Sequence, residues 1–169
     1  MNLSVANVEP PTTSATAKAA WLLIFLAAIM QAYHGLSSIL LPFLGDSSRG
    51  IGTVGWVATG ALHLVIAVLA LMHAARQNLR GATLAVAVAI LLGWLTMVPP
   101  AIQHGLDFRA DRRLTSGYFV LSPVIAFTAA ALAWRGSYPV LAALIVTAPT
   151  FVGLLFVIVF AISVALYGF

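Results

Sequence analysis

The chain has no cysteine, and only 7% of its 169 residues are charged, eight Lys or Arg against four Asp or Glu. Without cysteine, disulfides, thiolate metal centres and cysteine nucleophiles are excluded together. So little charge also excludes a water-soluble fold, because soluble domains cover their surfaces with roughly 25% charged residues. The four carboxylates, Glu9, Asp46, Asp107 and Asp111, all lie outside the long apolar stretches. An intramembrane general base or ion-coupling carboxylate is therefore missing, which counts against hydrolysis, phosphotransfer and ion-coupled transport. No GxSxG, HExxH, P-loop or GxGxxG context appears, and Gly50-Ile51-Gly52 reads as the start of a helix. The chain points away from an enzyme.

What is present is hydrophobicity: 62% of residues are apolar and the mean hydropathy is +1.07. Five stretches, about 19–43, 53–75, 81–103, 117–134 and 139–167, contain no Asp, Glu, Lys or Arg. Each is long enough to cross a bilayer, and backbone facing lipid must bond within its own segment, which selects helices. The expected fold is an all-α integral membrane protein, a single bundle of five transmembrane helices over 19–169 with short loops, preceded by a polar tail over 1–18. A count of four is the alternative, with the fifth stretch lying partly in the interface or broken at Ala148-Pro149. At 1.5 Å per residue that stretch exceeds a ~30 Å hydrocarbon core and must tilt, kink or protrude. Pro99-Pro100 predicts a kink or an early stop in the third span.

The start is not basic and its apolar run continues to Leu44, so a cleaved secretory signal is not expected. Trp21, Trp56, Trp134, Tyr118 and Tyr138 stand near span ends, as an interfacial aromatic belt does. The basic residues are scattered singly at span ends, a topogenic pattern and not a nucleic-acid stripe. With the N-terminus inside, Lys18, Arg76, Arg80 and Arg135 face one side and Arg49, Arg109, Arg112 and Arg113 the other. That count does not orient the chain, but the acids beside the arginines of the third loop and the weight of the early spans favour an inner N-terminus. Lack of an organelle-targeting pattern and an Ala-rich composition point to a bacterial inner membrane.

Polar residues inside the spans carry the remaining information, because a polar group in hydrocarbon needs a partner. Gln31, His34 and Ser38 are spaced i, i+3, i+7 on the first span, and Trp56, Thr59 and His63 repeat that spacing on the second, each set lying on one helical face. A short loop makes the two helices antiparallel neighbours, with His34 and His63 at nearly equal depth. The same half of the bilayer collects Thr96, Gln103 and His104 from the third span and Tyr118 and Ser122 from the fourth, while the opposite half holds little beyond Thr147 and Thr150. This predicts a pocket open toward the first and third loops, with Arg109, Arg112 and Arg113 at its mouth.

Three readings of the stripes compete. Cross-helix hydrogen bonds that fix packing, each worth about 0.6 to 2 kcal/mol, agree with small residues at Ala28, Ala32, Gly35, Gly55 and Gly60. Axial ligation of a haem b by His34 and His63, with Gln31 or Thr59 behind them, uses their equal depth, but a haem holds its helices apart. A metal pair alone leaves coordination short. A quinone or lipid pocket uses His34 and Tyr118 to bond a polar head group. The expected function is a non-catalytic membrane subunit or accessory factor packed among other integral membrane subunits and lipids. The alternative is a haem-, quinone- or lipid-binding redox-associated subunit built on His34, His63, Gln31, Thr59, Gln103, His104, Tyr118 and Ser122.

Overall fold

A computed structural model describes residues 15–44, 51–106, 113–136 and 138–168. The expected tail up to residue 14, the first loop, and the third-loop residues Asp107, Arg109, Asp111 and Arg112 lie outside the described residues, as does the side chain of Arg113. The helices are α1 (Ala15–Leu44), α2 (Ile51–Ala75), α3 (Leu79–His104), α4 (Arg113–Arg135) and α5 (Pro139–Tyr167). All five are long and apolar enough to cross a membrane. Each boundary falls within four residues of the expected one, the largest differences being the start of α1 at Ala15 and of α4 at Arg113. α3 does not stop early: it continues through Pro99 and Pro100 to His104. α5 is likewise helical through Pro149.

Each helix packs on the next in sequence, and α1 also packs on α5. α3 touches all four others and is the central helix. A third of its most apolar stretch is buried (33%), against 12% for α5.

The core is built of small residues. Ala20, Ala27, Ala28, Ala70, Ala82, Ala87, Ala126, Ala129 and Ala143 are buried around Ile24, Val86, Ile90 and Val146, while Leu22, Phe25, Leu62, Phe127 and Leu155 point outward. Between helices apolar enough to cross a membrane, burying a large side chain would gain little, because lipid tails are as apolar as leucine. Small residues let backbones approach and collect dispersion contacts. The closest approach is between α1 and α2. A Cβ on Gly35 would stand 2.8 Å from the Gly60 carbonyl oxygen and 2.8 Å from the Leu64 nitrogen, and one on Gly60 would stand 2.8 Å from the Gly35 oxygen.

The α2–α3 turn closes with a double bond pattern, Asn78 N–H to the His73 carbonyl (2.9 Å) and Gln77 N–H to the Ala74 carbonyl (2.9 Å). This is a Schellman closure, with Gln77 left-handed at φ 55°, a conformation that glycine adopts more easily. The Asn78 side chain then accepts the Gly81 N–H (2.9 Å) and caps α3. At the α4–α5 turn, Gly136 takes the left-handed position (φ 68°) and Pro139 opens α5, the usual placement of both residues.

Candidate functional site

The contact between Gly35 and Gly60 determines the site, because it brings the neighbouring histidines together. The imidazoles of His34 on α1 and His63 on α2 lie edge to face, with centroids 5.1 Å apart and planes at 84°. His34 is exposed, whereas His63 is only 2% exposed. Across the His63 ring lies Gly93 of α3, where a Cβ would stand 3.7 Å from Cε1 and Nε2. His63 is therefore enclosed by a ring on one side and a glycine on the other.

Among the described residues, neither Nδ1 nor Nε2 of His63 has a hydrogen-bond partner. A neutral imidazole carries one donor and one acceptor, and leaving a buried polar group unpaired costs about 1 to 3 kcal/mol. The neighbouring hydroxyls do not relieve it. Ser38 and Ser37 both donate to the His34 carbonyl (2.9 Å each), Thr59 to the Gly55 carbonyl (2.8 Å), and Thr96 to the Gly93 carbonyl (2.7 Å). Each hydroxyl bonds its own helix, the local alternative open to Ser and Thr. The cross-helix bonds expected from the stripes are not formed by these groups.

One bond that joins two helices lies outside the stripes. Trp94 Nε1–H donates to the Phe119 carbonyl of α4 (2.9 Å), with the two rings 5.5 Å apart. In a regular helix the N–H of residue 123 would satisfy that carbonyl, but residue 123 is a proline and has no N–H to give. Pro123 thus frees an acceptor, and the indole of the adjacent helix takes it. The sequence signal was a proline with a carbonyl four residues earlier, facing a neighbouring span that carries a tryptophan.

Ser122 is 1% exposed and donates to the Tyr118 carbonyl (2.6 Å). Gln103, His104 and Tyr118 are exposed at the same end of the bundle, and no hydrogen bond or ring contact with a described residue ties them to the histidine pair. Gln31 is half-buried and makes no such bond. The described residues brought together at this point are His34, His63 and Gly93. The opposite half is also less bare than expected, since Thr83 is fully buried there with an unpartnered hydroxyl. Thr147 bonds the Ala143 carbonyl (2.9 Å).

A haem does not fit between these two imidazoles. His34 adjoins Gly35, whose backbone touches that of Gly60 and Leu64, so nothing the breadth of a macrocycle passes between the helices there. Among the described residues no third His or carboxylate joins the pair, which leaves a metal two ligands short of the usual four. The arrangement can offer one hydrogen-bond donor and one acceptor from His63 to a small polar group. No protein-family model, curated protein or solved structure matches the chain.

Proposed function

We propose that the chain is a multi-pass integral membrane protein acting as a non-catalytic subunit or accessory factor, packed against other integral membrane subunits. The observation that carries this reading is the second half of α5. Among the described residues of α5, none after Thr147 is buried, although this is the most apolar helix of the five. Its 29 residues span about 43 Å at ~1.5 Å per residue. Ala161 and Ala165 stand exposed one turn apart, the small-residue spacing on which helices in bilayers associate. The short loops agree with a supporting role. A bacterial inner membrane is the proposed location, supported by the Ala-rich composition.

The test is a photo-crosslinking residue at Ala161 or Ala165, with exposed Leu62 on α2 as control, followed by blue-native migration in mild detergent. A discrete protein adduct from α5 and not from α2 supports the reading. Migration as an isolated monomer, with only lipid adducts at α5, overturns it.

One observation favours a second reading. The unpaired nitrogens of His63 suit a membrane-soluble molecule with a hydroxyl or carbonyl head, a quinone or a lipid, reaching His63 when the exposed His34 ring turns aside. Solvent extraction of the purified protein recovers such a molecule from wild type and not from His63→Leu. Equal recovery from both overturns this reading, and a Soret band lost in His63→Leu would restore the haem.

A further inference from the structure

The end of the bundle opposite the histidine pair gathers the start of α1, the α2–α3 turn and the α4–α5 turn. Its cations are Lys18, Arg76, Arg80 and Arg135, and no Asp or Glu is among the described residues. Arg80 lies over the Trp134 ring, 5.2 Å from its centroid. The side chains of Lys18 and Arg76 are exposed, with no ion pair or hydrogen bond to a described residue.

Between α1 and α2 at this end is an open groove of about 490 Å³. Trp21, Leu22 and Phe25 of α1 and Ala74 and Ala75 of α2 form its apolar wall, and Lys18 and Gln77 its polar edge. Lys18, Trp21, Leu22 and Phe25 follow i, i+3, i+4, i+7, so they share one face of α1. The cation sits at the helix end, and the apolar face runs from it toward the middle of the bundle. Ala74 and Ala75 leave the opposite wall low. The Schellman closure at Gln77 ends α2 there and leaves Arg76, between two lining residues, exposed beside the groove.

We propose that this groove binds an anionic phospholipid, its phosphate held by Lys18 and Arg76 with Gln77 as a hydrogen-bond donor, and the upper part of an acyl chain laid along Trp21, Leu22 and Phe25. The occupant follows from the layout. A water-soluble anion gains nothing from an apolar wall, and a neutral lipid leaves two uncompensated cations beside it. A phosphate diester on a hydrocarbon chain satisfies both, as basic pockets at the ends of membrane helices do. Trp21 and the stem of Lys18 suit the interfacial level, where an apolar body and a polar tip are both accommodated. This proposal rests on the reading of the chain as a bilayer protein.

The experiment uses the full chain in nanodiscs, with native mass spectrometry counting retained phosphatidylglycerol against phosphatidylcholine. Wild type retains phosphatidylglycerol preferentially. Lys18→Gln and Arg76→Gln each reduce the preference about fivefold, as expected for ~1 kcal/mol per interfacial cation, and Lys18→Arg and Arg135→Gln leave it unchanged. Trp21→Ala weakens retention of both lipids. A preference unaffected by Lys18→Gln with Arg76→Gln overturns the proposal, as does displacement of the lipid by inorganic phosphate alone. Alkaline carbonate extraction tests the premise separately. A protein released from membranes overturns the bilayer reading, whereas a protein that stays and shows no lipid preference overturns the groove alone.

Discussion

Replacing Gly35 by alanine tests the architecture at its narrowest point. An ideal Cβ there would meet the Gly60 oxygen and the Leu64 nitrogen at 2.8 Å, and the His63 Cβ at 3.2 Å. The first two are backbone atoms, so no side chain can swing away and α1 must separate from α2. Inserting one carbon into a close-packed contact costs typically about 1 to 3 kcal/mol. Against this, alanine is the better helix former by roughly 1 kcal/mol. The comparison with Gly153→Ala removes that second effect: Gly153 is also inside a helix, α5, and a Cβ there meets nothing within 4 Å. Both substitutions gain the same propensity, and only Gly35→Ala meets an obstacle. At about 2 to 4 °C per kcal/mol for a chain of this size, Gly35→Ala should unfold about 2 to 12 °C below Gly153→Ala. The assay is thermal unfolding in mild detergent followed by far-UV circular dichroism. Gly60→Ala should behave like Gly35→Ala, and the double variant should lose less than the sum, because parting the helices once makes room for both methyl groups. If Gly35→Ala unfolds at or above the temperature of Gly153→Ala, α1 and α2 are not in backbone contact and the histidine geometry built on that contact is wrong.

Three further outcomes follow from single side chains. Trp94→Phe orphans the Phe119 carbonyl and should destabilise by about 1 to 3 kcal/mol; adding Pro123→Ala, which returns an N–H to that carbonyl, should shrink the loss, and a full loss in the double variant refutes the pairing. His63→Leu removes two unpaired ring nitrogens, so denaturant unfolding should show a neutral or stabilising effect, whereas a loss of about 1 to 3 kcal/mol would mean that a group bonded to the ring has been left unpaired. Gln77→Gly relieves the left-handed residue at φ 55° and should raise stability by up to about 1 to 2 kcal/mol, read as a higher melting temperature; no rise would show that the turn does not require that conformation.

The contrast between Thr59 and Trp94 shows how far residue order reaches. Thr59 was legible as polar and on the face of His63, yet its hydroxyl turns to the Gly55 carbonyl of its own helix, a choice between two acceptors that spacing does not resolve. Trp94 sat unmarked in an apolar run until Pro123 on another helix supplied a reason for its orientation. Gly93 was silent too, because a glycine matters only through what lies opposite, here His63. The proximity of His34 and His63 was more accessible, since equal depth on neighbouring antiparallel spans nearly requires it. That one imidazole is enclosed and the other exposed depends on how α3 lies over α2.

The sequence by itself determined the number of helices, their limits to within four residues, and the pairing of the first two as neighbours. These are local quantities: a run of some twenty uncharged apolar residues must close its own hydrogen bonds in hydrocarbon, and loop length limits where it returns. Tertiary structure alone decided that α3 is central, that alanines fill the core, that Gly35 meets Gly60 and that His63 is left without a partner. These helices are apolar on nearly every face, so no hydrophobic stripe marks which side turns inward. In an apolar medium that choice falls to the fit of side-chain volumes between helices, a property of pairs of surfaces that no single segment carries.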